Sequence, residues 1–187
     1  MKKITFFDKY FEELNQKTIS VNNKLLMEIA RYIESASLNN GKVIIIGNGG
    51  SAAIASHISI DLTKAANIRA INFNESSLLT CFSNDYGYDL WAEKAIEFYS
   101  DKGDLVILIS SSGQSKNIIN AAVKTRELGL NLITLSGFKK SNPLRNLGEI
   151  NLWVDSEHYN TIETAHQTWL LSIVDYLIIN QLNMEKS

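Results

Sequence analysis

The sequence predicts an α/β protein: a three-layer α/β/α sandwich on a five-stranded parallel sheet, preceded by N-terminal helices. Three observations predict it. Short aliphatic, β-branched runs alternate with longer stretches of helical periodicity. No two apolar runs are joined by a two-residue hairpin turn, so consecutive strands need crossover helices and run parallel. The runs at 43–46 and 105–109 are apolar throughout, the pattern of strands covered on both faces.

Residues 3–38 are helical in pattern. Phe7, Tyr10, Phe11 and Leu14 recur at three- and four-residue spacing, as do Leu25, Ile29, Tyr32 and Ile33. Ser20-Val21-Asn22-Asn23 breaks the run. These helices have no place in a minimal sheet domain. The chain therefore reads as a single domain, 1–187, with 1–38 a helical extension suited to oligomerisation; packing on the chain's own sheet is the competing use of that stripe. Asn39-Asn40-Gly41 stops the helix before the first strand. A helix follows from Ala52 to Lys64, then a second strand over 68–73, a short helix over 75–82, a polar turn Asn84-Asp85-Tyr86-Gly87 and a helix over 89–99. The third strand is 104–109. The helix from Lys116 to Leu128 ends at Gly129, a C-cap residue. The fourth strand is 130–135, a short helix with Pro143 in its first turn spans 141–147, the fifth strand is 150–154, and a long helix runs over 161–182.

Two strand ends carry the chemistry. Lys42-Val43-Ile44-Ile45-Ile46 stops at Gly47-Asn48-Gly49-Gly50-Ser51, and a helix starts at once. Glycines let the backbone turn tightly, and the helix start presents free N–H groups and a positive dipole end, which suit an anion such as phosphate. The third strand ends likewise in Ser110-Ser111-Ser112-Gly113-Gln114-Ser115, a hydroxyl-rich turn before the next helix. Both turns fall at the carboxyl ends of strands, where open α/β sheets bind ligands. Neither is a GxxxxGK[ST] loop. Gly47-x-Gly49-x-x-Ala52 fits the loose dinucleotide pattern, but Asn72-Phe73-Asn74 stands where an acidic ribose ligand belongs, so no nucleotide is expected.

Apolar residues make up 45% of the 187, enough for a substantial core, and the formal charge of -2 advertises no nucleic-acid face. The longest apolar runs fall far short of a membrane span. The single cysteine, Cys81, forms no intramolecular disulfide, and no signal peptide is evident, which together point to a reducing cytoplasm.

His57 and Asp61 are four apart on the helix after the first turn and share a face; Glu163 and His166 are three apart near the start of the last helix. Two histidines and two carboxylates on facing helices suit a divalent metal. They equally suit acid–base chemistry beside a bound sugar phosphate. Placed otherwise, His57 is a capped or core histidine, and Glu163 with His166 a solvated helix face.

At these motifs the chain resembles the SIS (sugar isomerase) family, most of all the bacterial phosphoheptose isomerases, over nearly its whole length. Gly47 to Ala53 followed by His57, Asn84-Asp85-Tyr86-Gly87, and Ile109 to Ser115 each match a family signature. The resemblance implies an aldose–ketose isomerase for a sugar phosphate such as sedoheptulose 7-phosphate, cytoplasmic and homotetrameric, with zinc in many members and a product used for surface polysaccharide. It implies phosphate binding by Asn48, Gly49, Gly50, Ser51, Ser110, Ser111, Ser112 and Ser115, and substrate contacts from Asn84 and Asp85. By the same resemblance His57, Asp61 and Glu163 stand at metal-ligand positions and Asp61 at that of the base. Glu163 as an alternative base and His166, one turn beyond it, are added from their own placement, so the candidate catalytic groups are Asp61, Glu163 and His166. The chain departs from the family at three of these positions: Asp61 stands for a Glu, Glu163 for a Gln, and Leu171 for a His. A second function class therefore stays open, a phosphosugar-binding SIS protein that senses or scaffolds without catalysis.

Overall fold

The computed structural model describes residues 4–184. The elements are α1 (Phe6–Ile19), α2 (Asn23–Leu38), β1 (Val43–Gly47), α3 (Gly50–Lys64), β2 (Ala70–Ile71), α4 (Ser76–Tyr86), α5 (Trp91–Tyr99), β3 (Leu105–Ser110), α6 (Lys116–Glu127), β4 (Asn131–Ser136), a 3-10 turn (Pro143–Asn146), β5 (Ile150–Trp153) and α7 (Tyr159–Met184). The five strands form one sheet, ordered β2-β1-β3-β4-β5, and every pairing is parallel. The chain leaves β1 for β2 on one side and returns to β3 on the other. The switch point of the sheet therefore lies between β1 and β3, directly below the two Gly/Ser turns.

Alternate strand residues feed two cores because successive side chains point to opposite faces. Val43, Ile45, Leu105, Ile107, Ile133 and Leu135 pack with α2, α3 and α7. Ile44, Ile46, Val106, Leu108 and Leu132 pack with α5 and α6. Each fully buried aliphatic side chain contributes about 1.5–3 kcal/mol, so the central strands β1 and β3, buried at every position, anchor the core.

Several boundaries differ from the sequence reading. The second strand keeps only Ala70–Ile71, because it is an edge strand paired on one side. The region expected as a polar turn, Asn84 to Gly87, is the last turn of α4; Gly87, at φ 87°, ends it. Pro143 opens a 3-10 turn, not an α-helix. The N-terminal helices also divide in role. α2 buries Ile29, Ala30, Ile33 and Ala36 in the main core, so it is an integral layer and not an appendage. α1 buries none of its residues and leaves Phe6, Phe7, Phe11 and Ile19 at 72%, 66%, 62% and 70% exposure. It is tied to the body in part by the Trp169 indole N–H donating to the Thr18 carbonyl at 2.7 Å.

Candidate functional site

β1 and β3 end side by side, so their turns meet. Gly47 pairs with Ile109 in the ladder. Gly47 must lack a side chain, since a Cβ would collide with Ser51, and Gly49 takes a φ of 55° to start α3. Gly49 caps α3 without a side-chain hydrogen bond, and Ser115 caps α6 without one. Among the described residues, the N–H groups of Gly49, Gly50, Ser112 and Ser115 find no acceptor in the protein. Two helix starts with open donors thus converge at the switch point.

Between them lies a cavity of about 110 Å³ lined by Asn48, Ser51, Ile109, Ser110, Ser111, Ser112, Ser115, Tyr159 and Glu163. The Ser110 hydroxyl donates to Ser115 Oγ at 3.1 Å. The reciprocal amide pair of Asn48 and Asn117, at 3.0 and 2.9 Å, ties the glycine turn to the start of α6, and Tyr88 donates to Asn48 Oδ1 at 3.4 Å. The Asn48 amide is therefore occupied in holding the turn. Beneath the serine turn, Gly137 N–H donates to the Ser111 carbonyl at 2.8 Å. Gly113, at φ 64°, sits against the buried Asn142, leaving no room for a Cβ. This cradle of hydroxyls, open backbone N–H groups and two positive helix ends has chemistry that suits an anion.

Glu163 reaches the cradle from α7. Its Oε1 accepts from the Ser111 hydroxyl at 3.5 Å, and a Cβ on Gly50 would run into its carboxylate. His57 and Asp61 do share a face, with Nε2 to Oδ2 at 3.2 Å, and the Gln167 side-chain amide lies 3.2 Å from His57 Nδ1. Gln167 follows Glu163 by one helical turn, so both stand on the α7 face turned toward α3.

Of the other expected site residues, His166, Asn84 and Asp85 lie outside the cradle, and the expected metal set is not brought together among the described residues. His166 is fully buried, with Nε2 3.1 Å from the Ser136 carbonyl and its ring 5.9 Å from that of Trp169. Burial lowers its pKa to about 4, against a smaller opposing effect of the Ser136 hydrogen bond. It is a core residue and does not line the cradle, because three residues along α7 turn the side chain from the α3 side to the sheet. Asn84 and Asp85 bond to each other at 2.9 Å on the exposed end of α4 and do not line the cradle. The set His57, Asp61 and Glu163 does not assemble. Among the described residues no group of three His, Cys, Asp or Glu side chains could hold a metal ion, and Glu163 belongs to the cradle. His57 and Asp61 are bonded to each other, and among the described residues no third imidazole, thiol or carboxylate joins them in a metal-binding group. The sequence reading missed Asn117, Tyr159 and Gln167. Only the four-residue step from Glu163 to Gln167 left a trace in the sequence.

A parallel sheet with this strand order and a serine-lined cradle at its switch point defines the class, an α/β protein of the sugar-isomerase type. The chain belongs to the SIS-domain family, whose model matches residues 6–137. It is 34% identical to a probable phosphoheptose isomerase of Thermoplasma acidophilum, over 86% of this chain and 91% of that one. It is 37% identical to the phosphoheptose isomerase of Campylobacter concisus, over 82% and 86%. The structure of phosphoheptose isomerase from Neisseria gonorrhoeae superposes with a TM-score of 0.83 at 26% identity, covering 90% of this chain and 95% of that one.

Proposed function

We propose that this chain is a sugar-phosphate aldose–ketose isomerase acting on a heptulose 7-phosphate. The observation that carries the reading is the serine cradle with its open helix N-termini, in a chain whose relatives over most of its length are phosphoheptose isomerases. The phosphoryl group is held by Ser51, Ser110, Ser112 and Ser115 and by the N–H groups of both turns. Glu163 stands at the edge of the cradle and accepts a hydrogen bond from a sugar hydroxyl.

The proton chemistry belongs further along α3. From Gly50 to His57 that helix advances about 10 Å, and the Asp61 side chain leans back one turn to meet the His57 ring, a span comparable to the extended length of a six- or seven-carbon sugar phosphate. A heptulose anchored at Gly50 brings its carbonyl end to the His57–Asp61 pair, while a triose phosphate stops short. Asp61 removes the proton from the carbon beside the carbonyl, giving an enediolate; the proton of the neighbouring hydroxyl passes to the former carbonyl oxygen, and Asp61 returns the carbon proton to the former carbonyl carbon. The carbonyl and the neighbouring hydroxyl exchange places, and nothing is gained or lost. His57 holds the carboxylate through its Nε2–H.

The test is turnover against chain length. Sedoheptulose 7-phosphate is expected to isomerise, and dihydroxyacetone phosphate to bind without isomerising. Equal rates on both would contradict the placement of the base.

A second reading, phosphosugar binding without turnover, is favoured by one observation: His166 is sealed in the core and Leu171 packs against it, so neither offers a proton. For assembly, the exposed aromatic face of α1 supports a homo-oligomer. No helix of the described residues is long and apolar enough to cross a membrane, and the cytoplasm is the compartment proposed, as the sequence implied.

A further inference from the structure

The half-buried Gln167 side chain is the third member of a row that runs from Gln167 through His57 to Asp61. A carboxylate has no proton to give, so at the 3.2 Å contact between His57 Nε2 and Asp61 Oδ2 the ring must be the donor. A neutral imidazole carries one N–H, so Nδ1 is then a bare acceptor. A bare Nδ1 calls for a donor, and the Gln167 amide N–H supplies one at 3.2 Å. This assignment follows from the chemistry of Asp61 and does not depend on which end of the amide is drawn as nitrogen.

We propose that Gln167 is a positioning residue that fixes His57 as its Nε2–H tautomer. It thereby makes His57 and Asp61 a hydrogen-bonded dyad and not a metal-binding pair. The proton on Nε2 has a direct consequence. A nitrogen that carries hydrogen has no lone pair for a metal, and the other nitrogen is covered by the amide. The row therefore disfavours a metal at His57 and holds Asp61 in one orientation. The proposal rests on the reading that this dyad moves the proton, yet its first test needs no turnover.

The chain has three histidines, so nitrogen-15 NMR of the whole protein gives a small set of ring signals, and His57→Ala identifies that of His57. At a pH where the ring is neutral, the expected pattern is a protonated Nε2 and a bare Nδ1. Gln167→Glu replaces the donor by an acceptor. With a carboxylate at each ring nitrogen both must carry hydrogen, so at the same pH the bare-Nδ1 signal should disappear and both nitrogens should report as protonated. Gln167→Leu should lower kcat with KM unchanged, since the cradle is untouched. A wild-type His57 with its proton on Nδ1, or zinc held stoichiometrically by wild type through His57, would overturn the proposal. So would a Gln167→Glu protein that keeps a bare Nδ1. If wild type shows the Nε2–H tautomer but isomerises no sugar phosphate, the isomerase reading fails and the structural role of Gln167 stands.

Discussion

Ser110 and Ser112 can each give a hydroxyl to a bound dianion, and neither supports the core. Replacing both by alanine should weaken binding of inorganic phosphate by about 1.5–3 kcal/mol per lost charged hydrogen bond, with the thermal midpoint nearly unchanged. Calorimetry that finds undiminished affinity would remove the phosphate from this cradle. His166 makes a different prediction. Its pKa is about 4 in the fold because burial excludes the charged form, against an ordinary 6.5. Between those values the unfolded chain binds the extra proton and the folded chain does not. The stabilising contribution is therefore whole above pH 6.5 and is lost as pH falls toward 4, by about 3 kcal/mol in all. Denaturant midpoints of wild type should fall more steeply across that window than those of His166→Leu. Parallel curves would contradict a neutral, buried ring.

At the scale of the element, the two N-terminal helices should behave oppositely. Ile33 of α2 is 2% exposed and packs in the main core. Ile33→Ala should cost about 2–5 kcal/mol in urea unfolding. On α1 the aromatic residues Phe6, Phe7 and Phe11 are exposed, and the homo-oligomer proposed above would use that face. Phe7→Ser combined with Phe11→Ser should lower the mass seen by light scattering to that of one chain. A wild-type protein that is already monomeric would contradict the role given to α1. The strands were legible as elements because an unbroken aliphatic run between glycine turns has few other uses. The edge strand was overestimated because its pairing on one side only is a property of the sheet and not of the residues. α2 was misjudged for a related reason: its amphipathic stripe records that something covers it, but not what.

At the scale of the molecule, the fold and both halves of the cradle were readable in the sequence. Ser51, Ser110, Ser111, Ser112 and Ser115 line one cavity, brought together by strands that are neighbours in the sheet. The remaining site depends on how α7 is rotated about its axis. Glu163 and His166 both looked available, and only the packing of Ile162, Ala165 and Trp169 against the sheet sends His166 inward and leaves Glu163 and Gln167 facing α3. No local pattern encodes a contact between Gln167 and His57, which lie 110 positions apart.

The central claim, that Asp61 is the base of a sugar-phosphate isomerase, meets its most direct test in one comparison. Interconversion of sedoheptulose 7-phosphate and its aldose isomer is followed by NMR for wild type and Asp61→Asn, alongside calorimetry with inorganic phosphate. Wild type should turn over, and Asp61→Asn should lose about 10²- to 10⁴-fold in kcat, the size of a general-base contribution, with phosphate affinity retained. A wild-type protein that binds the heptulose phosphate without converting it, or an Asp61→Asn protein at full rate, would contradict the account.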